Sequence, residues 1–449
     1  MQTGEWGFRA RAGLTNQAEK TIDAQYYIWE EDDTGFILAE RILRAADRGV
    51  RVRLLVDDIY VAARDRAIAA LCQHPYFDIK IFNPGQVRHS KLGGLGEFML
   101  RFKELNRRMH NKLLVVDGRA AVVGGRNIGN AYFGLSKKYN FCDLDVLVVG
   151  PVIEEIGHAF DEYWNNDLSY PGIAMSTKIQ PEDVQRWREE LSKRLSEYQE
   201  VLASYPLEPK QWDEELSQLS ARMETGKARF LQDEPVRFGD DEIRLLDMLR
   251  RLSERNREEL IIVSPYLIPR RAAWDNLDDL VAEGVHVTIL TASMASNNHT
   301  MAHSHYRKYR RRILEGGAEL YEFRHDPSSE VRERVDVAPV RADFVSLHVK
   351  TMVGDRQRCF IGSLNQDPRA IEINTENGLY IESPGLSKQL ADYVDSLLSP
   401  DNAWRVYLNE KDKMRWDSTA GVVSSQPARS FCQRIADFFY RLLPIEKQL

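Results

Sequence analysis

The chain has little of three things: long apolar runs, paired cysteines and excess basic charge. No run of about 18 apolar residues occurs among its 449 residues, so no transmembrane helix is predicted. Residues 1–20 lack the apolar core of a signal peptide. The cysteines show neither a Cys-x-x-Cys pair nor a Cys/His metal spacing, so we predict free thiols and no metal site; they are Cys72, Cys142, Cys359 and Cys432.

The charge balance is acidic. The net charge is −7 at pH 7, and the isoelectric point is near 5.9. Such a chain has no overall basic field that would attract nucleic acid, so nucleic acid is not expected as a partner. Hydrophobic residues make up 43% of the sequence, which is typical of a globular protein with a large core. The length allows two or three domains.

One polar pattern, His-x-Lys-x-x-x-x-Asp, occurs twice. Its copies are His110, Lys112 and Asp117, and then His348, Lys350 and Asp355. Each copy continues into an apolar segment and then into small residues followed by Asn127 or Asn365. Because both copies share this context, they indicate an internal duplication. We therefore expect two halves folded back on one another, each giving one His and one Lys to a single cleft.

The spacing within the motif suits chemistry at phosphorus. Leu113–Val116 is an apolar, β-prone run that ends at an Asp-Gly turn, so His110 and Lys112 are predicted on a strand. Residues two apart on a strand point to the same face, whereas Asp117 has the opposite parity and is more plausibly structural. An imidazole can attack or carry a proton while an ammonium neutralises phosphate oxygens.

Strands and helices alternate in the same order in both halves, which predicts an α/β fold. In the first half, strands are expected at 22–29, 50–56 and 79–82, and helices at 35–48 and 64–72. In the second half, strands are expected at 260–263, 285–290 and 319–323, and helices at 272–282 and 306–314.

This organisation predicts four regions. They are a first half at 1–179, a charged helical insert at 180–236, a second half at 237–429 and a tail at 430–449. Within the insert, 182–198 and 212–225 are predicted amphipathic helices with solvated charged faces. One basic cluster, at 101–108, precedes the first motif His, and another, at 307–312, precedes the strand expected at 319–323. They are either ordinary surface charge or contacts for anionic headgroups.

The tail is predicted to form an amphipathic helix. Its apolar stripe repeats at helical spacing and consists of Phe431, Ile435, Phe438 and Leu442. Two interpretations stay open: the stripe packs on the body of the protein, or it lies in a membrane interface.

The twin motif and several longer segments carry a family resemblance. The segments are Ile22-Asp23-Ala24-Gln25-Tyr26-Tyr27-Ile28-Trp29, 106–112, 123–129, 317–322, Asp367-Pro368-Arg369 and Asn374-Thr375-Glu376. Over nearly the whole chain they resemble the phospholipase D superfamily and, within it, the bacterial cardiolipin synthases of the C group. The resemblance implies two similar α/β/α halves, each with a central mixed β-sheet, packed around one shared active-site cleft.

The resemblance also implies residue roles. An exchange at phosphorus would pass through a phosphohistidine, with His110 as nucleophile and His348 as general acid, although the residues alone do not separate the two roles. Lys112 and Lys350 would hold the phosphate, so no metal or cofactor is needed. Asp117 and Asp355 complete the two catalytic motifs in the family. Further implied residues are Asn127, Ser363 and Asn365 for substrate binding, and Glu376 and Asp143 for orienting the histidines, with Asp145 as the competing alignment.

The first copy departs from the family pattern because Gly125 stands where a serine is common. The implied activity is transfer of a phosphatidyl group from phosphatidylethanolamine to phosphatidylglycerol by a peripheral protein of the bacterial cytoplasmic membrane, on its cytoplasmic face, with an activating partner protein. Hydrolysis to phosphatidic acid is one alternative. A nuclease and a non-catalytic membrane-binding protein are the others.

Overall fold

A computed structural model describes residues 1–61, 64–87, 91–176, 179–180, 182–197, 217–235, 245–253 and 255–449. The predicted helices 35–48 and 64–72 of the first half are observed as Asp33–Asp47 and Asp65–Leu71. The helices are α1 Gly4–Gln17, α2 Asp33–Asp47, α3 Asp65–Leu71, α4 Lys91–Leu100, α5 Phe102–Leu105, α6 Val152–Trp164, α7 Asp183–Glu197, α8 Leu245–Ser253, α9 Arg271–Ala282, α10 Thr300–Tyr306, α11 Arg310–Glu315, α12 Ser329–Val335, α13 Pro384–Leu398 and α14 Phe431–Tyr440.

The strands fall into two large sheets and one short ribbon. They are β1 Thr21–Tyr26, β2 Arg51–Asp57, β3 Phe77–Phe82, β4 Lys112–Val116, β5 Ala120–Gly124, β6 Tyr139–Cys142, β7 Asp145–Val149, β8 Ser169–Pro171, β9 Lys227–Gln232, β10 Glu259–Val263, β11 His286–Ala292, β12 Glu319–Phe323, β13 Phe344–Leu347, β14 Thr351–Gly354, β15 Arg358–Gly362, β16 Asn377–Glu382, β17 Ala403–Leu408, β18 Met414–Ser418 and β19 Gly421–Val423.

The two sheets repeat one strand order. The first runs β7-β5-β4-β1-β2-β3-β8, and the second contains β16-β15-β14-β10-β11-β12-β17 with β9 at one edge and β18-β19 at the other. In each sheet the three central strands are parallel and their outer neighbours antiparallel. The structure thus confirms the α/β class and the two similar halves with central mixed sheets.

The halves share a core. One apolar cluster lies between the sheets and takes side chains from both, including Leu113 and Val123 from the first half and Val263 and Leu379 from the second. Helices α6 and α13 contribute to this middle layer. Because the two halves bury apolar surface against one another, they are fixed in the relative orientation that forms the cleft.

Both motif aspartates close a turn at the end of the sheet. Asp117 and Asp355 have positive φ angles of 54° and 51°, a conformation that Asp tolerates better than most residues. Asp117 accepts hydrogen bonds from the backbone N–H groups of residues 19–21, at the start of β1. Asp355 accepts the equivalent bonds from residues 257–259, at the start of β10.

The structure differs from the sequence expectations in the middle of the chain. The segment 180–236 is not purely helical, because β9 extends the second sheet by pairing with β16. Helix α7 is observed close to its predicted bounds. Of the predicted helix 212–225, residues 212–216 lie outside the described residues, residues 217–220 are helical, and residues 221–225 are not. The helix expected at 306–314 is observed only as α11, Arg310–Glu315, while α10 ends at Tyr306. No helix in the described part of the chain is long and apolar enough to cross a membrane.

A buried ion cluster attaches α1 to the edge of the first sheet. Asp145 Oδ2 lies 2.8 Å from Arg11 Nη1 and 3.1 Å from Arg126 Nη1. All three side chains are at most 1% exposed. Each arginine therefore depends on this carboxylate, since water cannot replace it.

We expect Asp145→Ala to lower the free energy of unfolding by about 3–5 kcal/mol, because it leaves two buried guanidinium groups without their carboxylate. Chemical denaturation with guanidinium chloride would measure this loss. Asp161→Ala is the matched control, because Asp161 also pairs with an arginine at 2.7 Å but is 46% exposed. The control should cost at most about 1 kcal/mol. Equal losses in both variants would contradict the role assigned to burial.

Candidate active site

The two motifs converge on the cleft between the sheets. Lys112 is the first residue of β4 and His110 lies just before that strand, while His348 and Lys350 both precede β14. The four side chains are buried, with the histidines 8% and 5% exposed and each lysine 1%. The motif residues thus lie at or just before the first residues of β4 and β14, where the two halves meet.

The first histidine is paired with a carboxylate of the other half. Met109 forms a parallel β-bridge with Thr375, and the His110 N–H donates to the Thr375 carbonyl at 2.9 Å. The residue after Met109 is His110, and the residue after Thr375 is Glu376. His110 Nδ1 lies 2.8 Å from Glu376 Oε2.

The second histidine is paired in the same manner. Strands β6 and β13 form a parallel ribbon in which Leu347 faces Cys142, and the His348 N–H donates to the Cys142 carbonyl at 2.8 Å. His348 Nδ1 lies 2.5 Å from Asp143 Oδ2. Of the two alignments left open by the sequence, the structure therefore places Asp143 at His348, whereas Asp145 belongs to the buried ion cluster.

The two histidine–carboxylate pairs differ in the length of the acidic side chain and in the residue that stands beside it. Glu376 Oε2 also accepts a hydrogen bond from the Ser363 hydroxyl, which in turn accepts from the backbone N–H of Asn377 at 3.0 Å. At the matching place in the first half stands Gly125, where an added Cβ would clash with the Asp143 carboxylate. The shorter Asp143 side chain thus requires glycine beside it, and the longer Glu376 side chain has a serine. The departure from the family pattern at Gly125 has this steric reason.

Each lysine is anchored through its own motif. Lys350 Nζ donates to the His348 carbonyl at 2.6 Å, and Lys112 Nζ donates to the His110 carbonyl. An ammonium has three N–H donors, so two donors of each lysine can bind an anion in the cleft. Burial lowers the pKa of Lys112 to about 7 and that of Lys350 to about 8. A bound phosphate would oppose this shift, because its charge favours the ammonium form.

The surroundings of both histidines favour the neutral imidazole. Burial, followed by the charges of Lys112 and Lys350, lowers the pKa of His110 well below its usual value. Burial and Lys350 lower the pKa of His348 to about 4, against the opposing effect of Asp143. A carboxylate at Nδ1 fixes the tautomer with its proton there, which leaves the lone pair on Nε2.

Aromatic rings flank both imidazoles. The Tyr27 ring meets His110 edge to face, with centroids 5.0 Å apart, and Lys112 Nζ lies 5.5 Å from the same ring. Phe141 lies 4.5 Å from His348 between ring centroids. Sequence reasoning did not single out Tyr27 or Phe141. Tyr27 could have been predicted from the sequence, because it lies inside a segment that carries the family resemblance.

Not every predicted site residue faces the cleft. Asp117 and Asp355 lie at the far ends of the strands, bound to backbone. Asn127 accepts from the Ile28 N–H and donates to the Tyr132 hydroxyl, at 3.2 and 2.9 Å. Ser363 is committed to Glu376 and the backbone of residue 377. Within the described residues, the Asn365 Oδ1 atom has no hydrogen-bond partner, and no group of three or more His, Cys, Asp or Glu side chains could hold a metal.

We expect Gly125→Ala to displace the Asp143 carboxylate from His348, because the added methyl group would occupy the space of Oδ1. Nitrogen-15 NMR of the histidine rings would measure the effect as loss of a fixed Nδ1–H tautomer at His348. The control is Gly157→Ala in α6, where an added Cβ meets nothing within 4 Å. A His348 ring unaffected by Gly125→Ala would disprove this steric coupling.

Comparison with known proteins agrees with the duplicated site. The family described as "Cardiolipin synthase, PLD-like domain" matches twice, at residues 13–164 and 248–398. The chain is 36% identical to Cardiolipin synthase C of Escherichia coli (strain K12), with 98% of this chain and 93% of the relative covered. It is 24% identical to a Cardiolipin synthase of Clostridium perfringens (strain 13 / Type A), over 84% of this chain and 65% of that protein.

A solved structure shares the fold. The crystal structure of phosphatidylserine synthase from Haemophilus influenzae Rd KW20 superimposes with a TM-score of 0.60 at 16% identity, covering 90% of this chain and 86% of that one. The family match accounts for both halves, and the similarity to the Escherichia coli protein extends over nearly the full length of both chains. The chain therefore belongs to the cardiolipin synthase family of phospholipase D-type phosphatidyltransferases.

Proposed function

We propose that this phosphatidyltransferase moves a phosphatidyl group from phosphatidylethanolamine to the free hydroxyl of phosphatidylglycerol, through a phosphohistidine. The observation that supports it best is the pair of crossed histidine–carboxylate contacts, at 2.8 and 2.5 Å, beside two buried lysines. This arrangement supplies a nucleophile, a proton carrier and positive charge for a phosphodiester in one cleft.

In the first step, the Nε2 lone pair of His110 attacks phosphorus and the bond from phosphorus to the headgroup oxygen breaks. His348 gives a proton to the leaving alcohol, while Lys112 and Lys350 stabilise the charge on the phosphoryl oxygens. In the second step, His348 takes the proton from the acceptor hydroxyl, the hydroxyl oxygen attacks phosphorus, and the phosphorus–nitrogen bond breaks. Protons and bonds balance over the cycle without a cofactor.

The environments of the two histidines favour these assignments. Burial and the two lysine charges lower the pKa of His110 well below its usual value, which suits a nucleophile that must stay unprotonated. Burial and Lys350 lower the pKa of His348 to about 4, and Asp143 opposes this shift. A phosphate anion in the cleft would raise the pKa of His348 further, toward the range in which it can donate a proton.

Hydrolysis is the second candidate function, because water can replace the acceptor hydroxyl without any change in the residues. A nuclease is disfavoured by the net charge of −7. For the cellular context, we propose a peripheral protein on the cytoplasmic face of the bacterial cytoplasmic membrane, assisted by an activating partner protein.

The product formed from mixed-lipid vesicles tests the proposed reaction. Mass spectrometry should detect cardiolipin when phosphatidylethanolamine and phosphatidylglycerol are supplied together, but not when either is supplied alone. Since both steps require His110 as the nucleophile or leaving group and His348 as the proton carrier, His110→Ala and His348→Ala should lose at least about 1,000-fold in rate. Cardiolipin from phosphatidylglycerol alone would contradict the proposed donor, and phosphatidic acid as the sole product would establish the hydrolase.

The alkaline limb of the pH profile reports the lysines. We expect kcat/KM to fall as the pH rises through 7 to 8, because Lys112 and Lys350 lose their protons in the free enzyme there while the phosphodiester stays anionic. Rates at low lipid concentration, measured over about four pH units from pH 5.5 to 9.5, would define the limb. Lys112→Arg should have a flatter limb, because a guanidinium stays charged. A profile without a decline below pH 9 would show that the lysines keep ordinary pKa values.

A further inference from the structure

Helix α14 presents its polar side to the protein and its apolar side to solvent. Gln433 and Asp437 are buried, whereas Phe431 is 75% exposed, Phe438 50% and Leu442 64%. At 100° per residue, the outward stripe lies on the side of the helix opposite to Gln433. This is the reverse of an ordinary surface helix, whose apolar side faces the core. Among the residues that the structure describes, none covers the stripe as a core would.

Polar contacts hold the inner side in place. Gln433 Nε2 donates to the Met294 carbonyl at 2.6 Å, and Asp437 Oδ2 pairs with Arg307 Nη1 at 2.7 Å. Gln426 donates to the same Asp437 oxygen at 3.2 Å. Because these bonds use the polar side chains, the outward orientation of the aromatic stripe is built into the fold.

The basic cluster at 307–312 takes part in this attachment. Arg307 pairs with Asp437, and Lys308 pairs with Glu446 beyond the helix. Arg310 pairs with Glu322, and Arg311 pairs with Asp412. Most of this cluster therefore fixes the tail and the neighbouring strands, and its charge is already balanced.

A different basic group remains beside the stripe. Arg434 lies on α14, and Arg441 directly follows it, with its guanidinium 5.1 Å from the centroid of the Phe438 ring. Neither arginine makes an ion pair with a residue that the structure describes. Together with Lys413 and Arg415 they line a groove along the helix that also includes Phe438. An exposed aromatic stripe with unpaired arginines along one flank is the composition of a helix that lies in the interface of an anionic membrane.

The chain after α14 leads back to the active site. Gln448 accepts from Asn106 Nδ2 at 2.7 Å, and the Leu449 carbonyl accepts from the Arg369 N–H at 2.8 Å. Asn106 belongs to the segment that enters the first motif. Directly before it, α4 and α5 expose a second apolar group, with Met99 71% and Leu100 89% exposed. The chain after α14 thus contacts the segment that leads into the first motif.

We propose that the outward stripe of α14, with Arg434 and Arg441, docks on a bilayer that contains anionic phospholipid. The proposal rests on the proposed function, since such a bilayer would hold the lipids that the cleft consumes. A bilayer fits better than a second copy of the chain, because the arginines beside the stripe need an anionic partner. In the docked state the helix lies along the membrane surface with its phenylalanines among the headgroups and upper acyl chains.

Sedimentation of the full chain with lipid vesicles tests the docking surface. We expect binding to vesicles of phosphatidylcholine with phosphatidylglycerol, and at least about tenfold weaker binding for the triple variant Phe431→Ser, Phe438→Ser and Leu442→Ser. The matched control removes three exposed apolar side chains elsewhere, as Val149→Ser, Tyr170→Ser and Ile173→Ser, and should bind normally. Arg434→Gln with Arg441→Gln should lose the preference for phosphatidylglycerol. Unchanged vesicle binding by the stripe variant would overturn the proposal.

Separate readouts distinguish this proposal from the proposed reaction. His110→Ala should bind vesicles normally but form no product, whereas the stripe variant should retain turnover of lipids dispersed in detergent. If light scattering shows dimers that the stripe variant loses while its vesicle binding persists, the stripe is a contact between copies and the proposal fails.

A fluorophore on the exposed Cys432 avoids substitution of the stripe altogether. Its emission should shift to shorter wavelength when phosphatidylglycerol vesicles are added. Emission that stays unchanged with bound vesicles would also overturn the proposal.

Discussion

The structure depends on two parallel backbone contacts between the halves. One is the bridge between Met109 and Thr375, and the other is the β6–β13 ribbon. In each contact the segment from one half ends at a motif histidine and the segment from the other half ends at a carboxylate. Parallel pairing brings side chains at matching positions side by side, so the register of a few peptide groups sets the position of the imidazole. The shared core between the sheets keeps that register fixed.

The same contacts explain how so much charge is held out of water. Two lysines and two histidine–carboxylate pairs lie within the cleft, and isolated charges at such burial would be costly. Each carboxylate has a hydrogen-bond donor in the imidazole, and each lysine has a backbone carbonyl. The remaining unfavourable energy appears as lowered lysine pKa values. An anionic group beside the lysines would offset that unfavourable energy, so the site favours phosphate over water.

Much of this was predictable from sequence, and the parts that were not have physical reasons. The strand and helix order, the duplication and the approach of the two motifs follow from local periodicity and from the repeated residues. The pairing of each histidine with a carboxylate of the other half does not follow from periodicity. It depends on contacts between residues more than 200 positions apart, such as Asp143 and His348. Asn127 and Ser363 were expected to bind substrate, and in the structure they bond to protein groups: Asn127 to the Ile28 N–H, 99 positions away, and Ser363 to Glu376 of the same half. The outward side of α14 also depends on distant partners, since helical periodicity alone does not tell which face is covered.

The crossed pairing has a consequence for the history of the chain. Each half contains a histidine whose carboxylate partner lies in the other half, and a carboxylate whose histidine partner lies in the other half. A protein with one such motif would therefore need a second identical subunit to complete each pair. Joining both copies in one chain makes that pairing permanent and allows the two copies to differ. The glycine beside Asp143 and the serine beside Glu376 record this divergence, because each suits only the carboxylate that it accompanies.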